Sequence, residues 1–143
     1  MASTMSTIGE GRAPVIGTLG LFQDVLDHEL SCAERYRRFV SLVMVRGTSP
    51  DSPLRRILAD RIRSSDLLAE QNSRLVILMS ETDHTGAAIA IDRYRDFCAD
   101  IPLWFSSVTF PQDTGSGADL FEVAERRLQL ACQEDPGAVV ATD

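Results

Sequence analysis

Arg63-Ser-Ser-Asp-Leu-Leu-Ala-Glu-Gln-Asn-Ser-Arg-Leu-Val-Ile-Leu-Met-Ser-Glu-Thr-Asp83 decides the fold. Leu67 to Gln71 and Arg74 to Ser80 are two strand-like runs. The Asn72-Ser73 pair between them has the length and residue types of a tight turn, since Asn tolerates positive φ at small cost. The second run, Leu75-Val-Ile-Leu-Met79, is apolar without alternation. A strand with hydrophobic side chains on both faces is normally central in a sheet covered by helices, which places this hairpin at the core of a layered α/β or α+β structure.

Outward from the hairpin, helix and strand patterns alternate. On the N-terminal side, Ser52-Pro53 supplies a cap and a first-turn proline for a helix buried through Leu54, Ile57, Leu58 and Ile62. Before it, Phe39-Val-Ser-Leu-Val-Met-Val45 reads as a buried strand closed by Arg46-Gly47. Earlier still, Leu19, Phe22, Leu26 and Leu30 form one stripe of an amphipathic helix reaching about Arg37. On the C-terminal side, Asp83 or Thr85 caps a helix to about Ala99, with Ala87, Ala88, Ile91, Tyr94 and Cys98 facing inward. Leu103 to Phe110 is an aromatic and β-branched strand, and Gly115-Ser-Gly117 leads into a last helix bearing Leu120, Phe121, Ala124, Leu128 and Ala131.

The order helix, strand, helix, hairpin, helix, strand, helix predicts an α+β fold. Its sheet is ferredoxin-like and mainly antiparallel, with helices on one face and a flanking first helix. One domain spans 18–133. Residues 1–17 lack a periodicity that could bury a face and read as a flexible lead-in, and 134–143 as a flexible tail.

Composition excludes several activities. The chain has 143 residues, one domain's worth, and a formal net charge of -7. That balance argues against nucleic acid as a partner, because such binding draws on clustered cations that neutralise phosphates. All 14 basic residues are Arg. Phosphate-loop lysines, Schiff-base lysines and Ser-Lys dyads are therefore absent. Cys32, Cys98 and Cys132 are odd in number and widely spaced, which supports neither a disulfide framework nor a metal site; they read as small buried apolar residues in a reducing compartment. No apolar run approaches the ~20 residues of a membrane span, so membrane insertion is not expected and a cytoplasmic location is.

Isolated side chains carry little chemistry. His28 and His84 have no His or Cys partner at metal spacing and read as surface or capping residues. Ser31, Ser41 and Ser80 lack a nucleophile-elbow context, and Trp104 and Phe105 read as core or sheet-edge contacts. Arg55, Arg56, Arg61 and Arg63 give one helix a basic face, which Asp51 and Asp60 would compensate.

From about Phe22 to Cys132 the sequence resembles the diguanylate-cyclase (GGDEF) domains. The most diagnostic segment is Arg63-Ser-Ser-Asp66, an Arg-x-x-Asp pair five residues ahead of Asn72-Ser73-Arg74-Leu75, which stands where the family's signature would be and is one residue short. Val108-Thr-Phe-Pro-Gln-Asp-Thr-Gly115 and the helix after it resemble the family's last strand, loop and closing helix. The resemblance implies a nucleotide-cyclase-like sheet and carboxylates holding two Mg²⁺ ions at the end of the first strand and in the hairpin.

Here Arg46 and Thr48 stand at the strand positions, Ser73 and Arg74 at the hairpin positions, and Cys132 where the closing helix would be basic. A guanidinium at a divalent-cation site repels the ion. The expectation is therefore no catalytic residue, no metal, no cofactor and no enzyme activity. The Arg-x-x-Asp element implies a different role, as a site for cyclic di-GMP made of Arg63, Asp66 and, from the following helix, Arg93, with Arg95 its neighbour and rival. In that role Arg63 meets guanine and phosphate oxygens through its planar fork, and Asp66 accepts from guanine N–H groups. The competing reading of the same spacing is a surface ion pair worth ~0–1 kcal/mol, in a domain that serves only as a scaffold for a protein partner or a homodimer.

Overall fold

The computed structural model describes residues 5–7, 14–16, 19–48, 54–71, 74–115 and 117–142. The expected Asn72-Ser73 turn and the Ser52-Pro53 helix start lie outside them. Four strands form the centre: β3 (Val40–Gly47), β4 (Leu67–Gln71), β5 (Arg74–Ser80) and β6 (Leu103–Phe110). Every neighbouring pair among them is antiparallel, with β4 beside β5, β5 beside β3, and β3 beside β6. This is the split βαβ order of a ferredoxin-like sheet. The hairpin strands have the limits expected from the sequence.

Alternation along β3 and β5 sets the layering. Val43, Val45, Ile77 and Met79 project to one face, where they pack with Leu54, Leu58, Ala87, Ile91 and Tyr94 of α2 (Leu54–Ala59) and α3 (His84–Phe97). Leu42, Met44, Val76 and Leu78 project to the other, against Phe22, Leu26, Leu120 and Leu128 of α1 (Leu19–Tyr36) and α4 (Gly117–Ala131). The expectation of helices on one face with α1 flanking is thus corrected, since α4 joins α1 on the opposite face. Strands with no polar face need cover on both sides.

Helix ends follow local chemistry. Asp83 caps α3 by accepting the Gly86 N–H at 2.8 Å. At the end of α1, Arg37 takes a left-handed conformation (φ 56°) and the Arg38 N–H returns to the Ala33 carbonyl at 2.8 Å, a Schellman closure with Arg where Gly is usual. Helix α2 stops at Ala59, earlier than its apolar stripe implies, and Ile62 is buried from the turn that follows.

The chain ends assigned to a flexible lead-in and tail contribute strands. β1 (Met5–Thr7) pairs antiparallel with β2 (Pro14–Ile16), and β2 runs parallel to β4. β7 (Val139–Val140) runs parallel to β6 at the far edge, completing seven strands. The tail is held by Trp104 Nε1, which donates to Glu134 O at 3.0 Å, and by Arg127 Nη1, which donates to Ala141 O at 3.0 Å. Cys98 is buried, whereas Cys32 and Cys132 are only partly so. No helix among the described residues is long and apolar enough to cross a membrane.

Candidate functional site

A cleft of about 310 Å³ opens where β5 ends and α3 begins. Arg63, Asp66 and Arg93 all line it, so the three residues singled out by sequence share one cavity; Arg95 lines a second cleft at the other end of α3. The segment before β4 supplies Arg63 and Asp66, the turn after β5 supplies Glu81, Thr82 and Asp83, and α3 supplies Ile89, Ala90, Arg93 and Tyr94. Phe39 and Met79 add an apolar wall.

Arg63 and Asp66 are joined more firmly than a surface pair. Asp66 Oδ1 accepts from Arg63 Nη2 at 3.1 Å and Oδ2 from the Arg63 backbone N–H at 3.2 Å. The Asp66 side chain is 1 % exposed while that of Arg63 is 52 % exposed. Burial raises the Asp66 pKa above its usual value, and the hydrogen bond and charge of Arg63 only partly offset that. Arg63 Nη2 also donates to Thr82 Oγ1 at 2.7 Å and reaches Ser80 O at 3.4 Å. These contacts all run through Nη2, and among the described residues the Nε–Nη1 edge of the fork is uncommitted.

A buried polar frame holds the turn that Arg63 leans on. Ser41 Oγ on β3 donates to Thr82 O at 2.8 Å and shares a 2.7 Å hydrogen bond with Thr109 Oγ1 on β6. Thr82 Oγ1 lies 2.9 Å from Ser80 O. Gly86 permits close packing here, since a Cβ would meet Thr82 Cγ2 at 3.0 Å. Burial and, secondarily, the Asp66 charge push the Tyr94 phenol well above its usual pKa, so it remains a neutral O–H donor at the cleft wall. Sequence periodicity identified Tyr94 only as a core residue. Thr82 and Glu81 carried no signal beyond their place at the end of the central strand.

The opposite end of the sheet is cationic in another way. Arg46 of β3 and Arg74 of β5 are direct partners in register. Arg74 pairs with Glu125 of α4 at 2.9 Å and lies over the Phe121 ring. Burial pushes the Cys132 thiol above its usual pKa, and the nearby Arg46 cation only partly offsets that. Among the described residues no three His, Cys, Asp or Glu side chains converge as a metal site would require. Asp51, expected to compensate the basic face of α2, lies outside the described residues; within them Arg55 pairs with Glu70 at 3.5 Å, and Arg61 covers the Phe97 ring at 4.3 Å.

No protein-family profile matches the sequence, and no curated protein is similar to it. Solved structures are. The GGDEF domain of YfiN (TpbB) from Pseudomonas aeruginosa superposes with a TM-score of 0.76 at 16% identity, over 87% of this chain and 89% of that one. The FimX GGDEF domain from the same organism gives 0.77 at 14%, over 87% and 93%. The active GGEEF domain of a diguanylate cyclase from Vibrio cholerae gives 0.71 at 11%, over 85% and 94%. At these identities the likeness speaks to the fold, and on that ground the protein carries the fold of the diguanylate-cyclase GGDEF domains.

Proposed function

We propose that this is a non-catalytic GGDEF-fold signalling domain that takes up cyclic di-GMP in the Arg63–Asp66–Arg93 cleft. The observation that supports it most is the convergence of those three residues on one cavity, with Arg63 held by a buried carboxylate and half of its fork exposed. Arg61, Arg63 and Arg93 all line the cleft, and with Arg61 laid over the Phe97 ring the other two guanidiniums suit a doubly anionic ligand with planar bases, because the fork matches phosphate and carbonyl oxygens and its face stacks on rings. Loss of cyclase activity is supported by the register pair Arg46–Arg74 at the other end of the sheet, where a metal-dependent phosphoryl transfer needs carboxylates.

Calorimetric titration with cyclic di-GMP tests the site. Saturable binding by the wild type and loss of it in Arg63→Ala are expected; no binding by nucleotide-free wild type overturns the reading. Incubation with GTP and Mg²⁺ tests the other half, and formation of any cyclic product overturns inactivity. A second reading has its own observation: Ile89 and Phe97 are exposed on α3 at 57% and 42%, as apolar contacts of a protein-interaction scaffold would be. The structurally similar SiaD from Pseudomonas aeruginosa, 57% of whose chain is covered, is in complex with its activator SiaC. Intact cellular function in Arg63→Ala favours this scaffold.

A further inference from the structure

We infer that Glu81, and not Asp66, is the carboxylate that reads the ligand's base in this cleft; the inference rests on the dinucleotide reading above. Three acids line the pocket; Asp83 is committed to capping α3 through the Gly86 N–H, and the other two differ in what they have left to offer. Asp66 is 1 % exposed and both its oxygens are spent on Arg63. Removing it from Arg63 to meet a base would strand a buried charge. Asp66 is therefore a positioning residue, acting through the guanidinium it holds.

Glu81 has the opposite character. Its side chain is 66 % exposed, and among the described residues its ion pair is with Arg38 Nε, 3.8 Å from Oε1, between two solvated groups. Such a pair is easily exchanged for a better partner. Oε2 is uncommitted among the described residues. The backbone of Glu81 is left-handed, at φ 50°, a conformation that a glycine would adopt at lower cost and of a kind that recurs at functional sites as well as at turns and helix ends. The neighbouring contacts fix it, since Thr82 is tied to Ser80 O, Arg63 and Ser41.

A carboxylate has two parallel acceptors and no donor. Guanine presents N1–H and N2–H₂ side by side and fits it; adenine presents an acceptor at N1 beside its N6 donor and does not. Glu81 thus selects guanine over adenine at the Watson–Crick edge, while Arg63 and Arg93 hold phosphate and stack on the ring faces.

The test is titration of cyclic di-GMP and cyclic di-AMP into wild type, Glu81→Gln, Glu81→Gly and Asp66→Asn, each shown to be folded by a cooperative unfolding transition above the assay temperature. Glycine suits the left-handed position, which keeps a folded variant without the side chain. Wild type is expected to prefer cyclic di-GMP, and both Glu81 variants to lose roughly tenfold or more of that affinity, as removal of a charged hydrogen-bond acceptor does, with cyclic di-AMP binding unchanged. Asp66→Asn should weaken both ligands alike. Equal cyclic di-GMP affinity in wild type and Glu81→Gln overturns the assignment and leaves the site standing. Selectivity lost in Asp66→Asn alone returns the role to Asp66. Absence of binding by the wild type overturns site and assignment together.

Discussion

Two arginine–aspartate pairs of similar length sit in this fold with opposite burial. In Arg63–Asp66, 3.1 Å apart, the acid is sealed in and the cation looks out. In Arg127–Asp113, 3.2 Å apart, the cation is 3 % exposed and the acid 14 %. Arg127 Nη1 also donates to the carbonyls of Ser107 at 2.8 Å and Ala141 at 3.0 Å, so its charge is absorbed by backbone dipoles of β6 and the tail. Asp113 Oδ2 in turn accepts the Thr109 N–H at 2.8 Å. The second pair is committed inward and joins the closing helix to two strands. The first spends its acid on holding an arginine whose outer edge remains for a ligand. Which member is buried, and not the ion pair as such, separates a structural pair from a binding one.

If that contrast is right, the inward pair should dominate stability. Arg127→Met leaves Asp113 and two carbonyls short of a donor, and breaking a buried pair from one side costs about 3–5 kcal/mol; partial solvation of Asp113 puts the expected loss near the lower end. Urea unfolding measures it, and a loss below about 1 kcal/mol would reduce Arg127 to a surface cation. Dinucleotide affinity, read under conditions where the variant is folded, should stay at the wild-type value.

The outward pair should instead move binding and stability in opposite directions with pH. Because burial raises the Asp66 pKa, the folded state holds that proton more tightly than the unfolded one. Asp66 therefore contributes stability that is full below the usual carboxylate pKa of 3.8 and lost as pH rises through its folded value. Acidification through that window should favour the fold at this residue while it releases Arg63 and weakens the ligand. Asp66→Asn mimics the protonated acid; it should remove this component from a stability-versus-pH difference curve, and an unchanged curve would contradict the raised pKa.

Gly86→Ala probes the support under the same pair. A methyl 3.0 Å from Thr82 Cγ2 makes the turn that braces Arg63 shift, whereas alanine in place of glycine favours a helix by ~1 kcal/mol. Stability should change by less than about 1 kcal/mol while affinity falls several-fold, measured by thermal unfolding and calorimetry on one preparation. A variant that binds like wild type would show that Thr82 is not a brace.

Much of this arrangement was legible in the sequence, and the limits have physical causes. Unbroken apolar runs such as Leu75 to Met79 and Phe39 to Val45 announced central strands, because only burial on both faces tolerates them. The roles given to Arg63 and Asp66 and the choice of Arg93 came from the resemblance to the GGDEF domains, and all three residues line one cleft. Periodicity could not say which face of a two-sided strand each helix would cover, so α4 was assigned to the wrong layer. Nor could it tell which acid would be buried. The exposure of Asp66 is set by the fold around it, from Arg63 and Thr82 to Tyr94, and Arg127 looked like any other charged residue of a helix beside Arg126. The β7 strand escaped for a related reason: Val139–Val140 is too short for a pattern, and its place depends on Arg127 and Trp104 gripping the carbonyls around it.

A third pair calibrates the scale. Arg74–Glu125 is as short as the others at 2.9 Å, yet its members are 19 % and 35 % exposed, and Arg74 also lies 5.7 Å from the Phe121 ring centroid. Neither residue is sealed, so water can replace what is lost, and Glu125→Ala should cost only ~0.5–1 kcal/mol. The same change removes an acid paired with Arg74, a register partner of Arg46, and makes that end of the sheet more cationic. It should therefore lose its small effect in high salt, where screening weakens exposed pairs, while the Arg127→Met deficit persists. A Glu125→Ala loss as large and as salt-insensitive as that of Arg127→Met would mean that distance alone governs these pairs, and that burial had been given a role it does not play.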